Sequence, residues 1–431
     1  MKTKAAEPRR RNRHTKFHIF TTVCLTTLIF TYMSNRNTFI SNISFNFNPK
    51  TTLPIPSNFL NNQTFIINQL KSTSTIQNPV LIVKELIIQE SSNDHLLQNP
   101  LVPPLNLTTN QRITWFKNKL PEFDILNSNQ EFKTRAEDFF KDCKVRFFMT
   151  WISSPFKFFG EREFLAVDAL FKSNPDGCLL ISSNSCQDSD HGFKILKPVI
   201  DLGFRVLVIE PDFNFLFDQT PAKAWFDHIK NGNHDPGEIP LAQNLSNLIR
   251  LVVLYKYGGV YLDTDFIPLK DFSSLRNSIG AQSATPSGNW TRLNNAVLIF
   301  DKNHPLLYNF IEEFALTFDG NRWGYNGPYL VSRVVERGAR KAESNFSVLP
   351  PAAFYPVDWT RIGGLFRRPV NRAHARWVEA KVVQLKESSY GVHLWNKQSR
   401  RLRIEDESIM ARLISEHCVV CKIFKKSQRT F

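Results

Sequence analysis

Two carboxylates separated by one residue are the part of this sequence best suited to chemistry: Asp263-Thr264-Asp265. Carboxylate oxygens at this spacing, where a buried strand ends, can hold a hard divalent cation. A cation held there can neutralise a diphosphate as it leaves a nucleotide sugar. An Asp-x-Asp alone is weak evidence, because a chain of this length contains about one by chance. The residues around this Asp-x-Asp therefore decide whether it indicates a metal site.

The residues before the acidic pair predict a helix, a stop and a buried strand. The run from Asn244 to Tyr257 is apolar on one side and polar on the other. Gly258-Gly259 ends it, because a left-handed cap residue is least costly as Gly. The same glycines would let the backbone approach a ligand closely. Tyr261-Leu262 then leads straight into Asp263.

Three polar side chains share one face of this predicted helix: Ser246, Asn247 and Arg250. Arg250 would suit a diphosphate, because a guanidinium group donates two parallel hydrogen bonds. The alternative is a buried structural Arg250 that pairs with Asp263 or Asp265. The two roles are compatible with each other.

Strand and helix patterns alternate in the second third of the chain. The predicted strands cover residues 145–152, 178–182 and 204–209, and the predicted helices cover residues 162–172 and 193–201. This alternation predicts an α/β fold with a parallel sheet and helices on both faces. Ligands in such folds bind at the carboxyl ends of the strands. Residues 143–425 are enough for one large domain.

The N-terminal third predicts a membrane anchor and a stem. Residues 1–16 carry seven Lys or Arg and one Glu, and residues 17–33 carry no charge. This predicts a cytosolic tail, a single transmembrane helix and a lumenal remainder, as in a type II membrane protein. The alternative is a cleaved signal peptide. The short span favours the Golgi membrane.

Composition divides the rest of the chain. Residues 34–142 are rich in Asn, Ser, Thr and Pro, which predicts a largely flexible stem, and residues 426–431 form a basic tail. Much of the net charge of +15 comes from the two ends of the chain. Because no clustered basic face with interleaved aromatic residues is present, nucleic-acid binding is not expected.

Cysteines and glycosylation sequons fit an oxidising lumen. Five of the six cysteines follow the predicted anchor, an odd number whose pairing the sequence leaves open. Cys418 and Cys421 predict a structural disulfide rather than half of a zinc site, because no second Cys or His pair with matching spacing exists. Six Asn-x-Ser/Thr sequons predict a glycoprotein. Asn244 lies on the predicted helix, where it would be buried and unmodified.

At this point the chain resembles the α-1,4-glycosyltransferase family, glycosyltransferase family 32, and in particular its plant members. The resemblance extends from Phe148 to about Cys421. The motifs that carry it are Phe148-Met149-Thr150-Trp151, Arg250 with the run from Gly258 to Asp265, Leu293-Asn294-Asn295-Ala296-Val297, Asn326-Gly327-Pro328, Ala353-Phe354-Tyr355-Pro356-Val357-Asp358-Trp359 and Val392-His393-Leu394-Trp395-Asn396.

The resemblance implies a GT-A fold, which is a Rossmann-like mixed sheet flanked by helices. It also implies a nucleotide-sugar donor, most simply a UDP-sugar, a divalent cation (Mn2+ or Mg2+) and retention of the anomeric configuration. The site residues that it implies are Asp263 and Asp265 on the metal, and Arg250, Trp151, Ser246, Asn247, Tyr261, Asn295, Trp395 and Asn396 on the donor. Trp151 would stack on the base, and Asn295 would contact a sugar.

His393 is the candidate third metal ligand, because neutral imidazole suits manganese. A structural histidine is the alternative. Trp395 and Asn396 would close over the diphosphate, with plain core packing as the alternative for Trp395. Relatives carry Ser-Asp where this chain has Ser246-Asn247, and Asn cannot balance the charge of Arg250.

No carboxylate besides the metal pair stands out as a nucleophile. The expected mechanism is therefore front-side displacement, with the leaving diphosphate as base. Asn326, as a catalytic residue, would stabilise the cationic sugar. The alternative is that Asn326-Gly327-Pro328 forms only a turn and a helix start.

The function predicted first is a retaining Golgi glycosyltransferase that moves a hexose or N-acetylhexosamine to a glycan or glycolipid, with an α-1,4 linkage as the family implies. The main alternative is a catalytically silent lumenal protein that binds glycans or scaffolds other transferases. A magnesium phosphohydrolase with Asp263 as nucleophile is disfavoured, because such enzymes carry their Asp pair on the first strand. Here at least three strands precede it.

Overall fold

The computed structural model describes residues 102–122, 131–152, 159–184, 190–338 and 345–421. The predicted cytosolic tail, transmembrane anchor and C-terminal tail, and most of the predicted stem, lie outside these ranges. Among the described residues, no helix combines the length and the apolar character that crossing a membrane requires.

Nine strands form two sheets in the described part of the chain. The strands are β1 Val145–Trp151, β2 Gly177–Ser183, β3 Arg205–Ile209, β4 Gly259–Leu262, β5 Phe266–Pro268, β6 Ser278–Ala284, β7 Trp290–Phe300, β8 Ser347–Leu349 and β9 Gly391–His393. The main sheet has the order β3-β2-β1-β4-β7-β6-β8, and β5 pairs with β9 in a second sheet. Only β7 runs antiparallel to its neighbours in the main sheet.

Helices precede, follow and connect the strands. The α-helices of the described residues are α1 Thr109–Lys119, α2 Phe132–Phe139, α3 Glu161–Ser173, α4 Asp190–Asp201, α5 Phe213–Phe217, α6 Ala222–Lys230, α7 Leu241–Tyr257, α8 Pro305–Thr317, α9 Pro328–Gly338, α10 Pro351–Phe354, α11 Arg372–Ser388, α12 Asn396–Ser399 and α13 Ile409–Glu416.

Successive side chains along the central strands enter two different apolar layers. Phe148 of β1 and Tyr261 of β4 lie in one layer, and Phe147 and Val260 lie in the other. This alternation is what a strand covered on both faces requires. The predicted α/β class is confirmed. Strands β1 to β4 are parallel, as the alternation of strands and helices predicted, and the antiparallel β7 makes the whole sheet mixed, as the resemblance implied.

The folded unit begins earlier than the predicted boundary at residue 143. Helices α1 and α2 fall in the segment predicted to be a stem, yet Phe116 and Phe132 are completely buried in the same apolar layer as Phe213 and Phe217. Burial of aromatic side chains of this size stabilises by about 2 kcal/mol each. Residues 109–119 and 132–139 therefore belong to the core rather than to a flexible stem.

The glycine pair after α7 is required by close backbone packing. Gly258 and Gly259 have φ values of 65° and 126°. A Cβ on Gly258 would lie 2.6 Å from the backbone nitrogen of Lys302, and one on Gly259 would collide with the carbonyl oxygen of Arg146. Protein packing therefore explains this glycine pair, and the predicted close approach of a ligand stays a prediction.

Two disulfides are present in the described residues. Cys143 pairs with Cys178 and so ties the chain before β1 to β2, while Cys418 pairs with Cys421 as predicted. The turn closed by the second disulfide is anchored by Asp168 of α3. This buried carboxylate accepts hydrogen bonds from the backbone N–H groups of Val419 and Val420, at 2.8 and 3.0 Å.

Candidate active site

The acidic pair lies where β4 ends and β5 begins, at the carboxyl edge of the main sheet. The backbone N–H of Asp263 donates to the carbonyl of Ala296 on β7 at 2.8 Å, which continues the β4–β7 pairing by one residue. Two residues later β5 pairs with β9, and Phe266 stands opposite His393. Two separate strand pairings thus bring Asp263, Asp265 and His393 together.

The three side chains form a compact group of possible metal ligands. His393 Nε2 lies 3.3 Å from Asp265 Oδ1 and 3.9 Å from Asp263 Oδ2. One ligand atom from each residue lies within 4.8 Å of the other two. The side chains of Asp265 and His393 are 11% and 8% exposed, whereas that of Asp263 is 26% exposed, so the group opens on the Asp263 side.

Electrostatics couple the histidine to both carboxylates. Burial opposes the charged form of His393, but Asp265 and Asp263 outweigh it and raise the pKa of His393 to about 9. Burial likewise opposes ionisation of Asp265, but His393 and the N–H of Asn396 hold the pKa of Asp265 below its usual value. The group therefore favours a positive charge at its centre, whether a proton or a cation.

The orientation of Asp263 is fixed from the core. Tyr261, completely buried on β4, donates its hydroxyl hydrogen to Asp263 Oδ1 at 2.9 Å. Because that oxygen can only accept, the 2.8 Å contact between Thr150 and the Tyr261 hydroxyl is donated by Thr150. Tyr261 therefore orients Asp263 through a hydrogen bond from the buried side of the site.

Arg250 is a buried partner of the acidic pair. Its Nη1 lies 2.9 Å from Asp263 Oδ1 and donates to the carbonyl of Asn295, also at 2.9 Å, while its Nε donates to the carbonyl of Ser246. The guanidinium also lies over the Tyr261 ring, 4.5 Å from its centroid. The structural pairing considered as the alternative for Arg250 is thus present, and a contact with the donor stays a prediction.

The polar face of α7 continues into β7. Asn295 donates from its side-chain amide to Asn247 Oδ1 at 2.9 Å. A Cβ on Gly327 would lie 2.8 Å from that same oxygen, so glycine is needed where the chain passes this amide pair. The predicted donor residues Ser246, Asn247 and Asn295 are thus adjacent to Arg250.

The side chain of Asn326 is fully used in hydrogen bonds within the protein. Its amide nitrogen donates to Asn244 Oδ1 and to the carbonyl of Asp319, and its oxygen accepts from the N–H of Asp319. The residue is 2% exposed. With its amide committed in this way, the structure supports the turn and helix start before α9 rather than the predicted catalytic role. The sequon residue Asn244 is buried, as expected.

The segment after β9 encloses His393. Trp395 has a left-handed backbone (φ 53°), and its ring lies 4.4 Å from the His393 ring, centroid to centroid. The Trp395 indole donates to the carbonyl of Val357, and the N–H of Asn396 donates to Asp265 Oδ2 at 2.8 Å. Both residues therefore border the metal-ligand group. Left-handed backbone in a Trp is strained, as is common at functional sites.

Trp151 stands at the carboxyl end of β1, as predicted. It is 9% exposed and packs edge-on against Phe159, with 5.5 Å between ring centroids. Stacking on a base stays a prediction.

Tyr355 is a site residue to which the sequence reasoning gave no role. Its ring centroid lies 5.8 Å from those of His393 and Trp395. Its hydroxyl is buried, close to the backbone of Val297. Burial, reinforced by the charge of Asp263, raises the pKa of Tyr355 well above its usual value, so the hydroxyl stays protonated. Its motif was recognised, but the sequence has no signal that separates this tyrosine from a core aromatic.

The group Asp263, Asp265 and His393 fits a divalent cation. Two carboxylates and an imidazole are the ligand types that Mn2+ accepts, while Mg2+ prefers oxygen alone. In an octahedral shell with bonds of about 2.1 Å, ligand atoms are about 3 to 4.2 Å apart. The distances of 3.3 and 3.9 Å fall in that range.

Comparison with known proteins places the chain among glycosyltransferases. Residues 160–286 match the model described as glycosyltransferase sugar-binding region containing DXD motif, and residues 299–423 match the alpha 1,4-glycosyltransferase conserved region. An uncharacterized protein of Arabidopsis thaliana is 29% identical over 301 residues, which are 67% of this chain and 44% of that protein.

Two relatives with named activities each match about one half of this chain. Lactosylceramide 4-alpha-galactosyltransferase of Pongo pygmaeus is 31% identical over 223 residues, 50% of this chain and 94% of that protein. Human alpha-1,4-N-acetylglucosaminyltransferase is 25% identical over 226 residues, 50% of this chain and 60% of that protein.

An α/β fold with an Asp-x-Asp at the carboxyl end of a buried strand, inside a matched sugar-binding region, defines a glycosyltransferase. More specifically, the chain belongs to the α-1,4-glycosyltransferase family. The resemblance inferred from the motifs is confirmed.

Proposed function

We propose that this protein is a metal-dependent, retaining glycosyltransferase with a GT-A fold. It would transfer a hexose or an N-acetylhexosamine from a UDP-sugar to a glycan or glycolipid acceptor. Asp263, Asp265 and His393 would hold Mn2+, or Mg2+. The observation that carries the proposal is the meeting of these three side chains at the carboxyl edge of the sheet, where α/β folds bind ligands.

The chain's own residues would prepare the site for an anionic leaving group. A divalent cation supplies positive charge to the departing diphosphate. Arg250 and Tyr261 keep Asp263 in one orientation, and the N–H of Asn396 does the same for Asp265. Preorganised groups of this kind need no rearrangement when charge develops.

Retention is best explained without an enzyme nucleophile. Three of the four carboxylate oxygens have partners within hydrogen-bonding distance: Asp263 Oδ1 has Arg250 and Tyr261, and the oxygens of Asp265 have His393 and Asn396. His393 lies 3.9 Å from the fourth oxygen, Asp263 Oδ2. A carboxylate held in this way is poorly placed to attack a sugar carbon. We therefore favour front-side displacement, with a phosphate oxygen of the leaving group accepting the acceptor proton.

The proposed place of action is the lumen of the Golgi, with residues 17–33 as a type II anchor. The charge asymmetry of residues 1–33 supports this orientation. Microscopy of the full chain with a C-terminal fluorescent tag, combined with protease protection, tests it. A tag that is digested without membrane permeabilisation would contradict a lumenal catalytic domain.

The test of the activity uses the purified full chain with a panel of UDP- and GDP-sugars and Mn2+, measuring slow donor hydrolysis. Asp263→Asn and Asp265→Asn should each lower the rate at least about 100-fold, because each removes a charged metal ligand. Asp227→Asn removes an exposed carboxylate of α6 and is the matched control.

Turnover that stays within about threefold of wild type in both ligand variants would reject the metal role. Firm binding of a UDP-sugar and Mn2+ by calorimetry, without turnover on any acceptor, would instead favour a silent glycan-binding protein. This alternative is motivated by Asn247, which pairs with Asn295 at a position where the family resemblance implies an acidic residue.

A further inference from the structure

A groove of about 330 Å³ opens at the carboxyl edge of the sheet, between β6, α10 and α11. Because β7 is antiparallel to both β4 and β6, strand β6 ends at the same edge as Asp263. Strand β8 is parallel to β6, so α10, which follows β8, also starts at that edge. The groove is thus on the side of the sheet where the candidate active site lies.

Tyr355 connects the groove with the active-site residues. It lines the groove, and its ring packs against His393 and Trp395. Gln282, another lining residue, accepts a hydrogen bond from Asn294 of β7. A molecule in the groove would therefore be a neighbour of the site rather than a distant surface ligand.

The lining of the groove suits a sugar ring. Pro351, Pro356 and Leu385 provide apolar surface, and Gln282, Ser283 and Ser388 provide hydrogen-bonding groups. Sugars have an apolar ring face and a hydroxyl edge, and binding pockets combine apolar walls with a few polar groups. The volume is sufficient for about one monosaccharide unit.

The charged residues of the groove add a preference for an anion. Two cations, Arg361 and Lys381, line it, together with one carboxylate, Asp358. Asp358 is already used: it accepts from Arg361 Nε at 2.6 Å and from the N–H of Thr360 at 2.9 Å.

Lys381 has no carboxylate partner in the groove. Its Nζ donates to the neutral amide oxygen of Gln384 at 3.1 Å. Burial, and to a smaller extent the repulsion from Arg361, lowers the pKa of Lys381. An incoming carboxylate would relieve that repulsion and form charge-assisted hydrogen bonds.

We propose that this groove is an acceptor subsite that binds a sugar carrying a carboxylate, through Arg361 and Lys381. Its place in a reaction rests on the proposed glycosyl transfer, but the binding of an acidic sugar does not. The subsite would select acidic glycans as acceptors and hold them beside Tyr355 and the metal-ligand group.

Two probes that differ only at the sugar C5 substituent test the proposal: methyl β-D-glucuronide, with a carboxylate, and methyl β-D-glucoside, with a hydroxymethyl group. Binding to the full chain is measured by ligand-observed NMR. We expect about a tenfold preference for the glucuronide, the size of one charge-assisted interaction at a solvent-accessible site. Arg361→Gln combined with Lys381→Gln should reduce the preference to about one.

Arg376→Gln is the matched control, because it removes one positive charge from the same helix, α11, outside the groove lining. It should keep the preference. All these side chains are at or near the surface, so thermal unfolding should change little. Equal binding of the two glycosides by wild type, no binding of either up to about 50 mM, or a preference that survives the double variant would overturn the proposal.

Donor hydrolysis, recorded on the same samples, separates this inference from the proposed function. Selective glucuronide binding without metal-dependent donor hydrolysis would support the subsite and reject the transferase chemistry. Donor hydrolysis without glucuronide selectivity would support the transferase chemistry and reject the subsite.

Discussion

Replacing Tyr261 by Phe tests whether the Tyr261 hydroxyl orients the carboxylate of Asp263. The substitution keeps the ring, which is completely buried, and removes only the hydroxyl. That hydroxyl donates to Asp263 at 2.9 Å and accepts from Thr150 at 2.8 Å. Both partners lose a hydrogen bond, while Asp263 keeps its contact with Arg250.

The size of the effect follows from these contacts. A hydrogen bond to a charged group is worth about 1.5 to 3 kcal/mol, and a buried hydroxyl left without a partner costs about 1 kcal/mol or more. The Asp263 side chain is 26% exposed and keeps its contact with Arg250, so water and Arg250 compensate part of the lost hydrogen-bond energy. We expect the free energy of unfolding to fall by about 2 kcal/mol. The affinity for Mn2+ should fall by about 10- to 100-fold, as when a residue that orients a metal ligand is removed.

Tyr257→Phe is the matched control. Tyr257 is also nearly buried, at 8% exposed, but its hydroxyl has no hydrogen-bond partner within the part of the chain that the structure describes. Its removal should leave the free energy of unfolding within about 0.5 kcal/mol, or raise it. The assays are urea unfolding and the Mn2+ dependence of donor hydrolysis, both on the full chain. An unchanged Mn2+ dependence in Tyr261→Phe, with Asp263→Asn inactive, would refute the positioning role.

Two further substitutions test other features of the fold. Burial raises the pKa of Asp168 despite its two backbone hydrogen bonds, so its ionisation costs stability at neutral pH. As the pH falls through that raised pKa toward the unfolded value of 3.8, wild type should gain free energy of unfolding relative to Asp168→Asn. The measurement is the urea midpoint of both proteins as a function of pH. Parallel curves for the two proteins would contradict this expectation. Gly327→Ala places a Cβ 2.8 Å from Asn247 Oδ1 and should lower donor turnover about tenfold by displacing the amide pair. Gly338→Ala lies at the end of α9, the helix that Gly327 precedes, and its added Cβ would meet nothing within 4 Å among the described residues. It should leave turnover unchanged; equal losses in both variants would rule out the steric explanation.

Local sequence pattern was sufficient for the strands and helices around β1 to β3. The strand predicted at residues 145–152 is Val145–Trp151, and the helix predicted at residues 162–172 is Glu161–Ser173. Buried parallel strands are continuous apolar runs between helices, so their signal is local. The helix predicted at residues 193–201 begins three residues earlier, at Asp190. Helix ends are less well defined by sequence pattern than helix interiors are.

The same pattern analysis failed for α1 and α2, because their burial depends on distant partners. Each helix contributes few apolar side chains from a polar, Asn-rich segment, and its composition alone favours a stem. Phe132 is buried because Phe215, more than eighty residues later, provides a surface for it, at 6.3 Å between ring centroids. Tertiary contacts of this kind override composition.

The candidate site was predictable in its residue types and less so in its contacts. The Asp263 and Asp265 motif and His393 are brought together as the sequence suggested. In contrast, Arg250 pairs with Asp263, and the amide of Asn326 is already hydrogen-bonded to Asn244 and Asp319. Each outcome depends on which acceptor lies nearest after packing, and residue spacing on one helix does not contain that information.

The pairing of β5 with β9 is what completes the ligand group, and its register is fixed by packing. Phe266 stands opposite His393, and a Cβ on Gly391 would collide with the Phe266 ring. Phe266 can therefore cover residue 391 only because that residue is glycine. Since side chains alternate along a strand, a slip of one residue would turn His393 away from Asp265. The position of the third ligand thus depends on a three-residue strand pairing between distant parts of the chain. The residue type suggested His393 as a ligand, but only the register of that pairing places it beside Asp265.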